Sequence, residues 1–127
     1  MNKLEINELS KDKIYRDIAQ EIYKKPYINV IPPEIMLTDG SMINNLFPQS
    51  VNKWNFPGKD GMRTSVIVFA NGDEVELLVN GESYGRKAAG LASDFYAVFD
   101  VVYQSGLIEA INYRNKMEFS REVLQSD

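Results

Sequence analysis

Carboxylates are the first place to look for chemistry in this 127-residue chain, which carries 18 Asp and Glu residues but no histidine and no cysteine. Without imidazole, the side chain that titrates nearest neutrality and the commonest transition-metal ligand is missing. Without thiol there can be no disulfide, thiolate zinc site or cysteine nucleophile. What remains is carboxylate chemistry. Two acids at a fixed separation can cleave a glycosidic bond, one protonating the leaving oxygen while the other attacks or activates water. Asp73, Glu74 and Glu76 crowd a turn and the outward positions of a strand, which is the pattern of a solvated acidic edge. Asp100 follows Phe99 in an alternating run and is placed to cap or to pair with Lys or Arg. No catalytic residue and no metal-binding or cofactor-binding residue is expected.

Two other patterns invite a functional reading. Gly81 to Gly85 spells GESYG, the G-x-S-x-G of a nucleophile elbow. That motif needs a strand-to-helix turn and a histidine downstream, and this chain has neither; Ser83 instead falls on the second strand of a hairpin. Trp54, Phe56, Tyr96, Phe99, Tyr103 and Tyr113 could stack on the apolar faces of a sugar ring, with Trp54 and exposed tyrosines as the platform. Large aromatics also supply much of the buried area of small domains, so core packing is the preferred reading. Trp54, just before the Pro57-Gly58 turn, is the position where that preference is weakest.

The elements that would hold these residues follow from periodicity and turn signals. Ile14, Tyr15, Ile18, Ala19 and Ile22 recur at helical spacing between Ser10, a suitable N-cap, and Lys24-Lys25-Pro26, a stop. Their stripe is narrow and needs an apolar surface to dock on. Tyr27 to Ile31 is β-branched and closed by Pro32-Pro33, as suits a first or edge strand. Residues 32–61 then form a long irregular connection. From Trp54 onward, short alternating strands separated by turn signals mark an all-β sandwich. The expected strands are Thr64 to Ala70, Glu74 to Val79, Glu82 to Lys87, Phe95 to Val101, Leu107 to Tyr113 and Met117 to Val123.

Asn80-Gly81 is the strongest local signal, because Asn-Gly favours the type I′ turn whose twist suits a hairpin. A two-residue loop then sets Val79 opposite Glu82, Leu77 opposite Tyr84, Val75 opposite Arg86 and Glu74 opposite Lys87. Val75, Leu77 and Tyr84 are expected to face the core. Glu76 and Gly85 share the other face, where the missing side chain allows another segment to approach.

Composition narrows the function classes. With 44% apolar and 25% charged residues the chain is ordinary for one globular domain. A net charge of -4 argues against a nucleic-acid surface. Apolar runs such as Val66 to Ala70 fall far short of the roughly 20 residues that cross a bilayer. The start, MNKLEINELSKDK, lacks the continuous apolar stretch of a secretion signal, so either the protein is cytoplasmic or this start is not the native one. The absence of cysteine leaves a secreted or periplasmic location equally open.

Three stretches together resemble a known family. Trp54 to Gly61, WNFPGKDG, is similar to a W-N-W-P-G-K-E-G segment, and Asp73 to Lys87 to a D-E-V-E-L-F-L-N-G-K-S-L-G-R-K hairpin, of the immunoglobulin-like domain that follows the catalytic barrel in glycoside hydrolase family 2 enzymes of the bacterial β-galactosidase type. Phe99 to Tyr103 and Gly106 to Arg114 resemble that domain's W-D-V-P-Y and G-T-L-K-A-V-G-Y-R segments, with Phe99, Val102 and Asn112 departing from it. Asn115-Lys116 stands where the family has a tighter Asp-Gly turn. Lys13 to Ile18 and Lys25-Pro26-Tyr27 resemble the last helix and exit strand of the barrel.

The resemblance implies a mainly β, immunoglobulin-like sandwich of about seven strands with a short N-terminal helix. Residues 1–26 would be a remnant of the preceding barrel and 27–127 the sandwich. It implies a non-catalytic accessory domain of a β-galactosidase-type hydrolase, present as a fragment, whose partners are the barrel and neighbouring domains. The alternative is a carbohydrate-binding module using Trp54. Stripped of its barrel, the helix would expose Ile14, Ile18 and Ile22 as a dimer contact.

Overall fold

A computed structural model describes residues 13–33 and 50–127 of the chain. Seven strands are seen among them: β1 (Tyr27–Val30), β2 (Arg63–Phe69), β3 (Glu74–Val79), β4 (Glu82–Ala88), β5 (Tyr96–Val102), β6 (Leu107–Arg114) and β7 (Met117–Gln125). They form two antiparallel sheets, one in the order β1-β2-β5 and one in the order β4-β3-β6-β7. The fold is the expected β-sandwich, with each strand within two residues of its expected bounds. No helix among the described residues is long and apolar enough to cross a membrane.

The core lies between the sheets. β3 shows the period of two that one buried face requires: Val75, Leu77 and Val79 are buried while Glu74, Glu76 and Leu78 are half-buried on the outer face. Opposite them pack Val66, Val68, Phe99 and Val101, with Trp54 and Tyr103 closing one end. β2 does not alternate, because every residue from Thr64 to Phe69 is buried. Both of its faces are covered, one by the core and the other by the helix.

That helix, residues 13–19, corrects the expectation of a missing docking partner. Ile18 is fully buried against Ile31, Ile67 and Phe69 on the outer face of the three-stranded sheet, and Ile14 and Tyr15 pack around it. Of the three isoleucines assigned to a dimer contact, only Ile22 is openly exposed, at 65%. Asn71, in the β2–β3 turn, caps the helix by donating its amide to the carbonyls of Ile18 and Ala19 at 2.7 and 3.3 Å. Tyr15 donates its hydroxyl to the Asp94 carbonyl at 2.7 Å, Ser120 donates to the Lys24 carbonyl at 2.7 Å, and Tyr23 donates to Glu122 at 3.2 Å. Residues 13–26 therefore form a strap bound to both sheets. Ser10, its expected N-cap, and most of the connection at 32–61 lie outside the described residues.

The hairpin keeps its Asn80-Gly81 turn, both residues having positive φ as type I′ requires. Its register differs from expectation. Val79 faces Glu82 and Leu78 faces Ser83, but from Glu76 onward a bulge shifts the pairing, so that Glu76 faces Arg86, Val75 faces Lys87 and Glu74 faces Ala88. The extra residue falls at Tyr84-Gly85. Gly85 has φ +97, and a Cβ built on it meets nothing within 4 Å. Backbone conformation, not the close approach of another segment, accounts for the glycine. Tyr84 lies at the sandwich edge and is 38% exposed rather than buried in the core. The β6–β7 turn is a two-residue turn, with Asn115 and Lys116 both at positive φ and Arg114 paired with Met117.

Candidate functional site

Trp54 is held by the end of β5. Backbone bonds from Gly61 to Tyr103 and from Tyr103 to Met62, both under 3 Å, zip the segment after Pro57-Gly58 onto that strand. The indole is 1% exposed, lies 4.8 Å from the Tyr103 ring and donates its N–H to the Gln104 carbonyl at 2.9 Å. Tyr103, itself fully buried, receives the Phe56 amide on its hydroxyl at 3.0 Å and meets the Phe56 ring edge to face. Ser126 donates to the Trp54 carbonyl. Both the apolar ring and its polar handle are thus engaged inside the protein, so the indole has no face free for a sugar. Phe56, Phe99 and Tyr113 are buried as well, and only Tyr96 of the six aromatics stays substantially exposed, at 37%.

The carboxylates also serve the fold. Asp73 accepts the Asn115 amide at 2.8 Å, tying the β2–β3 turn to the β6–β7 turn. Asp100 accepts the Ser65 hydroxyl at 3.2 Å. Glu76 accepts the Tyr113 hydroxyl at 2.7 Å and lies 3.8 Å from Arg86, whose guanidinium stacks over the Tyr113 ring. The bonds from Tyr113 and Ser83 hold the Glu76 carboxyl below the usual range, and the same Tyr113 phenol is pushed up by Glu76. A general acid needs the opposite shift, so Glu76 is suited to an ionised structural role. Ser83 accepts the Gly85 amide at 2.9 Å within the bulge, on a strand and not on a strand-to-helix turn.

One position escaped the sequence reading. Asp60 accepts both the backbone N–H and the hydroxyl of Ser105 at 2.9 Å, and these two bonds hold its carboxyl below the ordinary range although it is exposed. Asn80 adds bonds to Ser105 and Leu107, so three turns are knotted at one end of the sandwich. At the other end a cleft of about 260 Å3 is lined by Glu21, Tyr23, Lys24, Asn71, Arg114 and Phe119. Two of its charged groups engage each other: Arg114 pairs with Glu21 and also stacks 4.2 Å from the Phe119 centroid. Among the described residues no group of three or more acidic side chains gathers as a metal ligand set would.

Known proteins supply the context for these residues. Residues 61–119 match a family model described as a domain of unknown function, DUF4982. A glycosyl hydrolase family 2 member from Bacteroides cellulosilyticus superposes on 88% of this chain with a TM-score of 0.69 and 31% identity, using 14% of its own length. The chain is thus similar to a domain of glycoside hydrolase family 2 proteins. A beta-glycosidase from Bacteroides vulgatus covers 60% of the chain at 30% identity and a TM-score of 0.54, using 10% of its length. A Formosa agariphila protein named for beta-glucuronidase activity is 39% identical over 64 residues, 49% of this chain and 6% of that protein. The chain therefore spans a small fraction of each of these glycoside hydrolase family 2 relatives and other glycosidases.

Proposed function

We propose that this chain is a non-catalytic accessory domain of a larger glycoside hydrolase family 2 protein, where it braces the catalytic barrel and joins it to neighbouring domains. One observation carries the proposal: 88% of the chain corresponds to only 14% of a family member. The side chains here support it. Asp73 is committed to a turn, Asp100 to Ser65, and Glu76 to Arg86 and the buried Tyr113, and the bonds that hold the Glu76 carboxyl low are the opposite of what acid catalysis needs. The family's acid and nucleophile belong to the barrel, and no position of this chain matches their motifs.

The strap is the element through which bracing would act. Residues 13–26 lead out of the barrel in this reading, and residues 27–127 form the sandwich. A strap bonded to both sheets transmits the barrel's orientation to the sandwich with little freedom. The parent's activity is proposed as hydrolysis of β-glycosides, the chemistry shared by the β-galactosidase-type resemblance and the relatives' names. The coding sequence upstream of Met1 tests the proposal. A continuous reading frame for a barrel of about 250 residues or more supports it, and an unrelated upstream gene with an independent start at Met1 overturns it.

A further inference from the structure

The outer edge of β5 can be assigned from its neighbours. The Phe95 carbonyl accepts the Ala70 amide, and Tyr103 bonds through both its backbone groups to Gly61 and Met62, so odd-numbered residues here turn their backbone toward β2. By the alternation of an antiparallel ladder, Tyr96, Val98, Asp100 and Val102 turn theirs away from it. β5 is the last strand of its sheet. Those outward groups would form an open edge, a template for another strand.

Two of them are already occupied, and from the other sheet. The Val102 amide donates to the Tyr84 hydroxyl at 3.2 Å, and the Val98 carbonyl accepts from Lys87 Nζ at 2.5 Å. The Lys87 ammonium also lies 5.1 Å from the Phe99 centroid. In a regular strand Tyr84 and Lys87, three residues apart, would point to opposite faces. The bulge at Tyr84-Gly85 adds one residue and brings both to the side that faces β5, since Lys87 stands opposite the core residue Val75.

We propose that Tyr84, Gly85 and Lys87 form an edge lock, which holds β5 closed against pairing with the β5 edge of a second copy of this chain. Like edges pair antiparallel about a two-fold axis, so a second copy supplies the matching strand without any other partner. The glycine sets the geometry, the tyrosine caps one amide and the lysine caps one carbonyl. The segment that imitates a nucleophile elbow is in this reading a bulge that places two edge caps.

The test uses the 127-residue chain carrying Tyr84→Phe and Lys87→Met, which keep the ring and the aliphatic stem. Sedimentation velocity is run over a hundredfold concentration range, in roughly 0.5 M salt to screen the Asp100 carboxylates. Amide hydrogen exchange is read at Val102. The expected result is reversible self-association of the double variant beyond that of the parent chain, with exchange at Val102 roughly threefold to tenfold faster. Tyr84→Phe alone, which removes one exposed hydroxyl, should show the faster exchange with an unchanged far-ultraviolet spectrum. Glu82→Gln on the same strand should change neither readout. Association equal to that of the parent chain overturns the proposal whatever the exchange rate, and so does association that Glu82→Gln produces equally.

Discussion

Replacing Trp54 by alanine would open a cavity beneath Phe56 and Tyr103 and leave the Gln104 carbonyl without its donor. Truncation of a buried tryptophan costs about 3–5 kcal/mol, a large share of the stability of a domain this size. We expect Trp54→Ala to lower the unfolding free energy measured in urea by that amount, or to prevent folding, with calorimetric titration showing no sugar binding by the parent chain to lose. A folded variant of parental stability that has lost sugar binding would restore the stacking platform. Asp60 offers a pH test. Its folded pKa is depressed by Ser105, so its contribution is complete above the unfolded value of 3.8 and is lost as pH falls through the lower folded value. Asp60→Asn should therefore be less stable than the parent chain at neutral pH, with the gap closing at acid pH. A gap that is constant with pH, measured by denaturation from pH 7 down to about pH 2, contradicts this assignment. Trp54 could be listed with core aromatics from sequence alone, but its burial depends on Tyr103 and Ser126, far away in the chain. Asp60 carried no signal, because its partner lies 45 residues on.

At the scale of elements, legibility followed sequence separation. The Asn80-Gly81 hairpin was readable because turn chemistry and alternation act within a few residues, and its first pair, Val79 with Glu82, stands as expected. The register failed at Gly85. A glycine in a strand has two meanings, close approach or a bulge, and the sequence pattern alone favours neither. The helix was readable from its period, while its docking surface on β2 and β5 was not, since the continuous burial of Thr64 to Phe69 only becomes intelligible with the helix in place. This gives a paired test. Ile18→Ala should cost about 2–4 kcal/mol as a buried truncation, and Ile22→Ala on the same strap should stay within about 0.5 kcal/mol as a surface change. Equal effects of the two in urea denaturation would mean that the strap does not pack on the sheet as described.

For the whole molecule, the distribution of roles is as informative as any single residue. Glu76, Asp73, Asp100 and Asp60 each hold a tyrosine, a turn or a strand in place, and five of the six aromatics that could recognise sugar are buried, Tyr96 being the exception. An enzyme retains groups whose ionisation or exposure is costly to the fold and useful to a substrate; the polar groups described here stabilise the sandwich. In the proposed role such a domain adds rigid surface to a larger protein, with the strap as its fixed joint. The most direct test of this account is an assay of the purified 127-residue chain with nitrophenyl β-glycosides, including the β-galactoside and β-glucuronide. The account predicts release of nitrophenol no faster than in buffer, and turnover that rises in proportion to chain concentration and persists through purification would contradict it.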